Sequence, residues 1–141
     1  PNFYLFVRAN ETRPVTREAL EIGQFQGTCV SNDLTCEMLL WTGMPAENII
    51  PISKQGTGDF RMVVAGRADI YISDLAVNDL LRKTAGFDAS LTKPVKRLEV
   101  ETGFYLASSK NMSAKIREKI RETHKKLAKE GRYSLVEFPH Q

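Results

Sequence analysis

No stretch of the 141 residues approaches the roughly 20 consecutive apolar residues that a membrane-spanning helix needs, so membrane insertion is not expected. Cysteine is nearly absent. Cys29 and Cys36 are the two that occur, without metal-ligand spacing or a nearby histidine, which excludes a zinc ribbon and a disulfide-dense scaffold. Set on a strand and on the helix after it, they read as two small buried hydrophobes and leave the redox compartment open. Histidine is equally scarce. His124 falls among charges and His140 near the end, neither with a Ser, Cys or carboxylate partner in sequence. No catalytic arrangement, metal site or cofactor is therefore expected, and the chain does not read as an enzyme. Gly56-Thr57-Gly58 lacks the lysine and the spacing of a phosphate loop. A strong excess of one charge is missing too. The net charge of +3 is small and dispersed, and no nucleic-acid partner is expected. Basic residues crowd only between Lys115 and Arg132, where Glu118, Glu122 and Glu130 interrupt them, as on a solvated helix face. Pro1 is not an initiator residue, so the chain reads as processed or trimmed, with no signal peptide ahead of its first strand.

What is present suits a single α/β domain over residues 1–141. A chain of this length buries roughly two thirds of its unfolded surface, so a core forms without staples. Phe3–Val7 is aromatic and β-branched and reads as a strand buried on both faces. Arg8–Pro14 reads as a loop. Thr16 caps a helix over Arg17–Ile22. Further strands are predicted at Thr28–Ser31, Asn48–Ile52, Ile70–Ile72, Pro94–Val100 and Gly103–Ala107, and Pro51 marks its strand as an edge or a bulge. Helices are predicted over Leu34–Thr42, from a Thr57 or Asp59 cap to Ala65, over Ala76–Thr84, and from a Ser113 cap to Gly131, with an extended tail at Tyr133–Phe138. Trp41 lies on a helical stripe and reads as core. The alternation predicts a mostly parallel sheet of about five strands flanked by helices.

The most informative stretch is Ala65-Gly66-Arg67-Ala68-Asp69-Ile70-Tyr71-Ile72-Ser73-Asp74. A helix ends there on a left-handed Gly66, Arg67 and Asp69 stabilise a tight turn, and a short strand stops at a carboxylate. Ligands of open α/β sheets gather at the carboxyl ends of strands, which makes Asp74 a candidate contact. Its place ahead of Leu75–Leu81 equally suits a helix N-cap.

This stretch resembles one in the bacterial type 2 solute-binding proteins of polar-amino-acid ABC transporters. Other segments fit the same family: Phe3–Ala9 as the strand crossing out of the first lobe, Gly103–Ser109 as the strand crossing back, Ser108-Ser109-Lys110-Asn111 as the turn after it, and Lys129-Glu130-Gly131-Arg132-Tyr133 as the terminal ending. The resemblance covers nearly the whole chain as the second lobe with its C-terminal helix. The family's first lobe has no counterpart in this sequence.

The resemblance implies a periplasmic-binding-protein type 2 lobe that binds a small solute. It gives Asp74 the ligand's ammonium, gives Thr35 and the neighbouring helix N-terminal N–H groups the ligand's carboxylate, and sets Ser31 and Ser73 on the cleft wall. Where the family has Gly then Ser or Thr, this chain has Asp33-Leu34. Asp33 caps the helix or brings negative charge to the anion site, which shifts the expected ligand from a simple α-amino acid toward a cationic metabolite. The implied location is periplasmic, and an ABC transporter permease is the implied partner if the lobe is part of a two-lobed protein. A second reading is a stand-alone lobe that dimerises as an interaction or regulatory protein without clamping a solute. Ile116, Ile120 and Leu127 at helical spacing, together with Phe3–Val7 and Phe104–Leu106, supply the apolar surface for such a homodimer.

Overall fold

The computed structural model describes residues 2–53, 56–99 and 108–130. Contacts group the chain into two units, Pro1–Gly103 and Phe104–Gln141. The first carries strands β1 (Phe3–Arg8), β2 (Gly27–Val30), β3 (Ile49–Ile52), β4 (Ile70–Asp74) and β5 (Thr92–Arg97), with helices α1 (Arg17–Glu21), α2 (Leu34–Trp41), α3 (Gly58–Val64) and α4 (Leu75–Thr84). The second carries α5 (Ala114–Lys129), whose first turn is capped by Ser113 Oγ accepting from the Ile116 N–H at 3.4 Å. The strands expected at Gly103–Ala107 and the tail at Tyr133–Phe138 lie outside the described residues.

The strands line up in the order β3-β2-β4-β1-β5. β2 pairs in parallel with β3 and β4, whereas β1 pairs antiparallel with both β4 and β5. Four strands therefore run one way and β1 alone runs the other. This is the five-stranded α/β sheet the pattern predicted, with its first strand reversed. Both flanks of β1 are taken by β4 and β5. Thr16 Oγ1 caps α1 as expected, accepting from the Ala19 N–H at 3.1 Å. Pro51 and Pro94 fall on β3 and β5, the two edges, where a missing ladder donor is tolerated.

The two central strands alternate between faces. Leu5, Val7, Ile70 and Ile72 pack on one face with Leu20 of α1 and Met38 and Leu39 of α2. Phe6 and Tyr71 pack on the other with Phe60 and Val63 of α3. On that second face the Arg82 guanidinium is enclosed, 4.7 Å from the Phe60 ring centroid and 5.3 Å from that of Tyr71. Its Nη2 donates to Asp59 at 3.2 Å, while Nε and Nη1 have no hydrogen-bond partner. The flanking ring faces partly compensate the cation. Burial pushes the Asp59 carboxyl up despite the Arg82 charge beside it. Of the two expected caps, Thr57 holds the N-cap position of α3 without a side-chain bond, and Asp59 lies in the first turn, where its Oδ1 accepts from the Phe60 N–H at 2.7 Å and from Arg82. Tyr71 completes this buried group by donating to Asn78 Oδ1 at 2.7 Å and pairing with Thr92 Oγ1 at 2.9 Å.

Trp41 is not core. It is 57% exposed. α2 buries Met38 and Leu39, and two further residues rotate Trp41 by about 200° from Leu39, out of that face.

At the amino ends of β2 and β4 the chain is tied by charge. Gly66 has φ 72° and closes α3 with paired bonds, Gly66 N–H to Val63 O at 3.1 Å and Arg67 N–H to Met62 O at 2.9 Å, a Schellman ending. Arg8 reaches over from β1 and donates to Val63 O (3.1 Å), Ala68 O (2.9 Å) and Asp69 Oδ1 (3.0 Å). Arg13 donates to the same Asp69 oxygen at 3.0 Å, and the Gln26 N–H donates to the other at 2.9 Å. Of the two residues expected to stabilise this turn, Asp69 does so; the Arg67 side chain is exposed and makes no hydrogen bond among the described residues. Arg13 also grips Glu11 twice, through Nε at 2.9 Å and Nη2 at 2.7 Å. That hydrogen-bonded guanidinium holds the Glu11 carboxyl at about 2, down from its ordinary 4.5.

A carboxyl depressed in the folded state stabilises fully above its unfolded pKa and loses that contribution as pH falls through its folded pKa. Unfolding free energy is therefore expected to fall between pH 4.5 and pH 2, and Glu11→Gln is expected to flatten that part of the curve. Denaturant titrations across this range check it; an unchanged slope in the variant counts against the assignment.

Candidate ligand-binding edge

The connections part between two neighbouring strands. From β2 the chain runs outward to β3 through α2, on the face that holds Leu5 and Ile70. From β3 it returns to β4 through α3, and from β4 it continues to β5 through α4, both on the face that holds Tyr71. The helices after β2 and β4 thus leave to opposite sides, which makes the carboxyl ends of these two strands the topological switch point of the sheet. The β2–β4 ladder pairs Gly27 with Ile70 and Thr28 with Tyr71. Continued in the same register, Ser31 comes level with Asp74. Ser31, Asp33 and Thr35 follow the end of β2, and Ser73 and Asp74 are the last two residues of β4, so all five residues singled out from the sequence belong to the carboxyl ends of these two strands.

On the β2 side the chain turns into α2 through Asn32, which adopts φ 62°, a conformation asparagine tolerates better than most residues. Asp33 is the N-cap of α2, and its Oδ1 accepts from the Thr35 N–H at 2.9 Å. The backbone donor that the resemblance assigned to a ligand carboxylate is held by a carboxylate of the chain itself. Thr35 is half-buried, and Ser31 and Asp33 are exposed.

The two cysteines are not a pair of buried thiols. They form a disulfide that ties β2 to the first turn of α2, with Cα atoms 5.2 Å apart, inside the range that a disulfide spans. The reversal from strand to helix brings positions seven apart to bonding distance, which the strand and helix placements do not reveal when each is read separately.

On the β4 side, Asp74 is the N-cap of α4. Its Oδ1 accepts from the Ala76 and Val77 N–H groups at 3.0 and 3.3 Å, and its Oδ2 accepts from the Asn2 N–H at 2.8 Å. Asn2 Oδ1 in turn accepts from Arg97 Nη2 at 2.8 Å. Ser73 is 9% exposed and donates to Asp74 O at 3.3 Å, so it lies more below the edge than on it. Sequence reading missed Asn2 and Arg97, because only the antiparallel pairing of β1 with β4 and β5 brings them beside Asp74. Near Arg97, a groove of about 390 Å³ runs between the second half of α2, with Met38, Trp41 and Thr42, and the segment Lys96–Glu99.

No family model matches the sequence, and no curated protein matches it significantly. Solved structures do match in fold. An ancestral arginine-binding protein bound to arginine superposes with a TM-score of 0.69 at 16% identity, over 92% of this chain and 55% of that one. A histidine kinase sensor domain with similarity to periplasmic binding proteins gives 0.68 at 15% identity, over 94% and 55%. The arginine-, lysine-, histidine-binding protein of the thermophilic bacterium Geobacillus stearothermophilus gives 0.62 at 12% identity, over 94% and 55%. The fold is that of a type 2 periplasmic-binding-protein lobe. The chain spans about half the length of the solved structures it matches.

The cap and the charge at position 74 are separable. Asp74→Ala removes the acceptor for two helix N–H groups and is expected to cost about 1 kcal/mol of stability. Asp74→Asn keeps a good cap and is expected to cost a few tenths of that. Urea denaturation of both variants checks the difference; equal losses would mean that the charge, not the cap, stabilises α4.

Proposed function

We propose that the chain is the second lobe of a solute-binding module, with its C-terminal helix, and that it takes a small cationic solute at the edge between β2 and β4. One observation carries this reading: Asp33 and Asp74 cap the helices that follow β2 and β4, the two strands whose carboxyl ends flank the switch point of the sheet, the place where open α/β sheets bind ligands. In this reading Asp74 accepts from the solute's ammonium or guanidinium group, and such charge-assisted bonds are about twice as strong as neutral ones. Asp33 faces the same cation while serving the Thr35 N–H, Thr35 and Ser31 line the wall, and Ser73 lies beneath it. Because Asp33 already meets that N–H, a solute without a carboxylate suits the edge better than a simple α-amino acid. The matched structures described as arginine-binding support the cationic class. A periplasmic location and delivery to an ABC transporter permease belong to the same proposal.

Calorimetry on the 141-residue chain tests it with agmatine, L-arginine and L-glutamine. One lobe supplies part of the burial that a small-molecule pocket needs, so the expected Kd for agmatine is about 0.1 mM or weaker, with L-arginine next and L-glutamine last. Asp74→Asn is expected to weaken agmatine about tenfold, a loss of about 1.4 kcal/mol, at little cost in stability. Glutamine binding as tightly as agmatine, or an affinity unmoved by the substitution, counts against the reading.

Apolar side chains left in solvent favour a second reading alongside the first, a homodimer acting as an interaction or regulatory protein. Of the surface expected for a dimer, Ile116 on α5 is 52% exposed, whereas Leu5, Phe6 and Val7 are buried between β4 and β5; Ile22 at 70%, Trp41 at 57% and Leu40 at 47% exposure take their place. Light scattering at micromolar concentration is expected to give twice the 15.9 kDa chain mass. A clean monomer removes this reading and leaves the first untouched.

A further inference from the structure

The geometry points to a redox lock on the ligand edge: the closed Cys29–Cys36 bond holds the turn over residues 30–35 in its binding shape, and reduction of that bond releases the turn and the solute with it. The inference rests on the proposed solute site, since Ser31, Asp33 and Thr35 all lie between the two cysteines.

The two anchors differ. Cys29 is 1% exposed and packed in the core with Leu39 and Ile72. Cys36 is half-buried in the first turn of α2. Little else fastens the segment between them. Ser31, Asn32 and Asp33 are exposed, and Leu34 is 41% exposed, so no apolar side chain pins the turn to the core. Ser31 is tied to β3 by its N–H to Ile52 O at 2.8 Å; beyond it the bonds are local, Asp33 N–H to Val30 O and Cys36 N–H to Asp33 O at 3.1 Å each, and Thr35 N–H to Asp33 Oδ1 at 2.9 Å. Asn32 holds a left-handed φ of 62° within it. The rest of α2 is fastened independently by Met38 and Leu39, at 1% and 0% exposure. Opening the disulfide therefore frees the turn and the first turn of α2 while the sheet stays packed, a local rather than a global change.

The chemistry balances with an external dithiol. Its thiolate attacks the more accessible sulfur, Cys36 Sγ; the S–S bond breaks and Cys29 leaves as a thiolate that takes up a proton. The reagent's second thiol then closes on its first sulfur and releases Cys36 as a thiol. The protein gains two electrons and two protons, and the dithiol becomes a cyclic disulfide.

Hydrogen exchange and calorimetry on the full chain, oxidised and then reduced with dithiothreitol, test the lock. Amides over residues 30–37 are expected to exchange faster after reduction while those of Leu5–Val7 and Ile70–Ile72 are unchanged. Agmatine is expected to bind the reduced chain about tenfold more weakly, because only a fraction of the freed turn holds the binding shape. The C29A/C36A variant is expected to match the reduced chain, with no response to dithiothreitol. Equal exchange over residues 30–37 in both states overturns the lock. Faster exchange with an unchanged agmatine affinity overturns its control of binding. If the oxidised chain takes up no agmatine, arginine or glutamine, the solute reading falls and takes the affinity half with it, and the exchange comparison alone decides the structural half.

Discussion

The carboxylate of Asp69 is the point on which the arrangement of this lobe depends. It receives Arg8 from the end of β1, Arg13 from the following loop and the Gln26 N–H ahead of β2, while the Asp69 and Ile70 N–H groups both donate to Gln26 O. Segments distant in sequence are thereby fixed at the start of β2 and β4. The Asp69 side chain is 20% exposed and that of Arg8 24%, so these pairs are sheltered, and leaving one partner of such a pair uncompensated costs about 3–5 kcal/mol in fully buried cases. The structural consequence appears at the opposite end of the strands. Once Gly27 is set against Ile70 and Thr28 against Tyr71, the offset between the carboxyl ends of β2 and β4 is fixed. The ion cluster thus sets the spacing of an edge that it does not touch.

At that edge the two carboxylates already serve the fold. Each closes the amino end of a helix, Asp33 for α2 and Asp74 for α4. Helix capping and ligand contact are often weighed as alternatives for one residue. Here a single oxygen of Asp74 accepts from two helix N–H groups and the other meets Asn2, so the group is oriented before any ligand arrives. An oriented acceptor spends less conformational entropy on binding. The same bonds also compete with an incoming donor, which sets a limit on how strongly a lone lobe can hold a solute.

Much of this was legible in the sequence, and the failures have physical causes. Phe3–Val7 and Ile70–Ile72 stood out because strands buried on both faces are continuously apolar. That pattern is the same whichever way a strand runs, so the reversal of β1 could not be read from it. Gly66 announced its helix end through the left-handed conformation it holds at φ 72°. Trp41 was misjudged because its stripe on α2 is wider than the face that α2 buries. The disulfide and the Arg8–Glu11–Arg13–Asp69 cluster were missed for a shared reason: each joins residues whose proximity is created by tertiary reversal, so residue type alone carries no signal. Position alone leaves Thr57 and Asp59 as equal candidates for the α3 cap; Thr57 takes it, and a buried guanidinium from α4, more than twenty residues on, pairs with Asp59.

Proline stands on both outer strands, Pro51 on β3 and Pro94 on β5. Each removes one donor from a border that would otherwise offer an unbroken ladder to another chain. The sheet is therefore a poor template for its own growth, and strand-by-strand polymerisation at either side meets a gap. A molecule with exposed apolar side chains on its helices can afford them more safely when its borders do not propagate. Contact between copies is thereby steered toward faces and helices, where it closes on itself, and away from the open-ended stacking that leads to fibres.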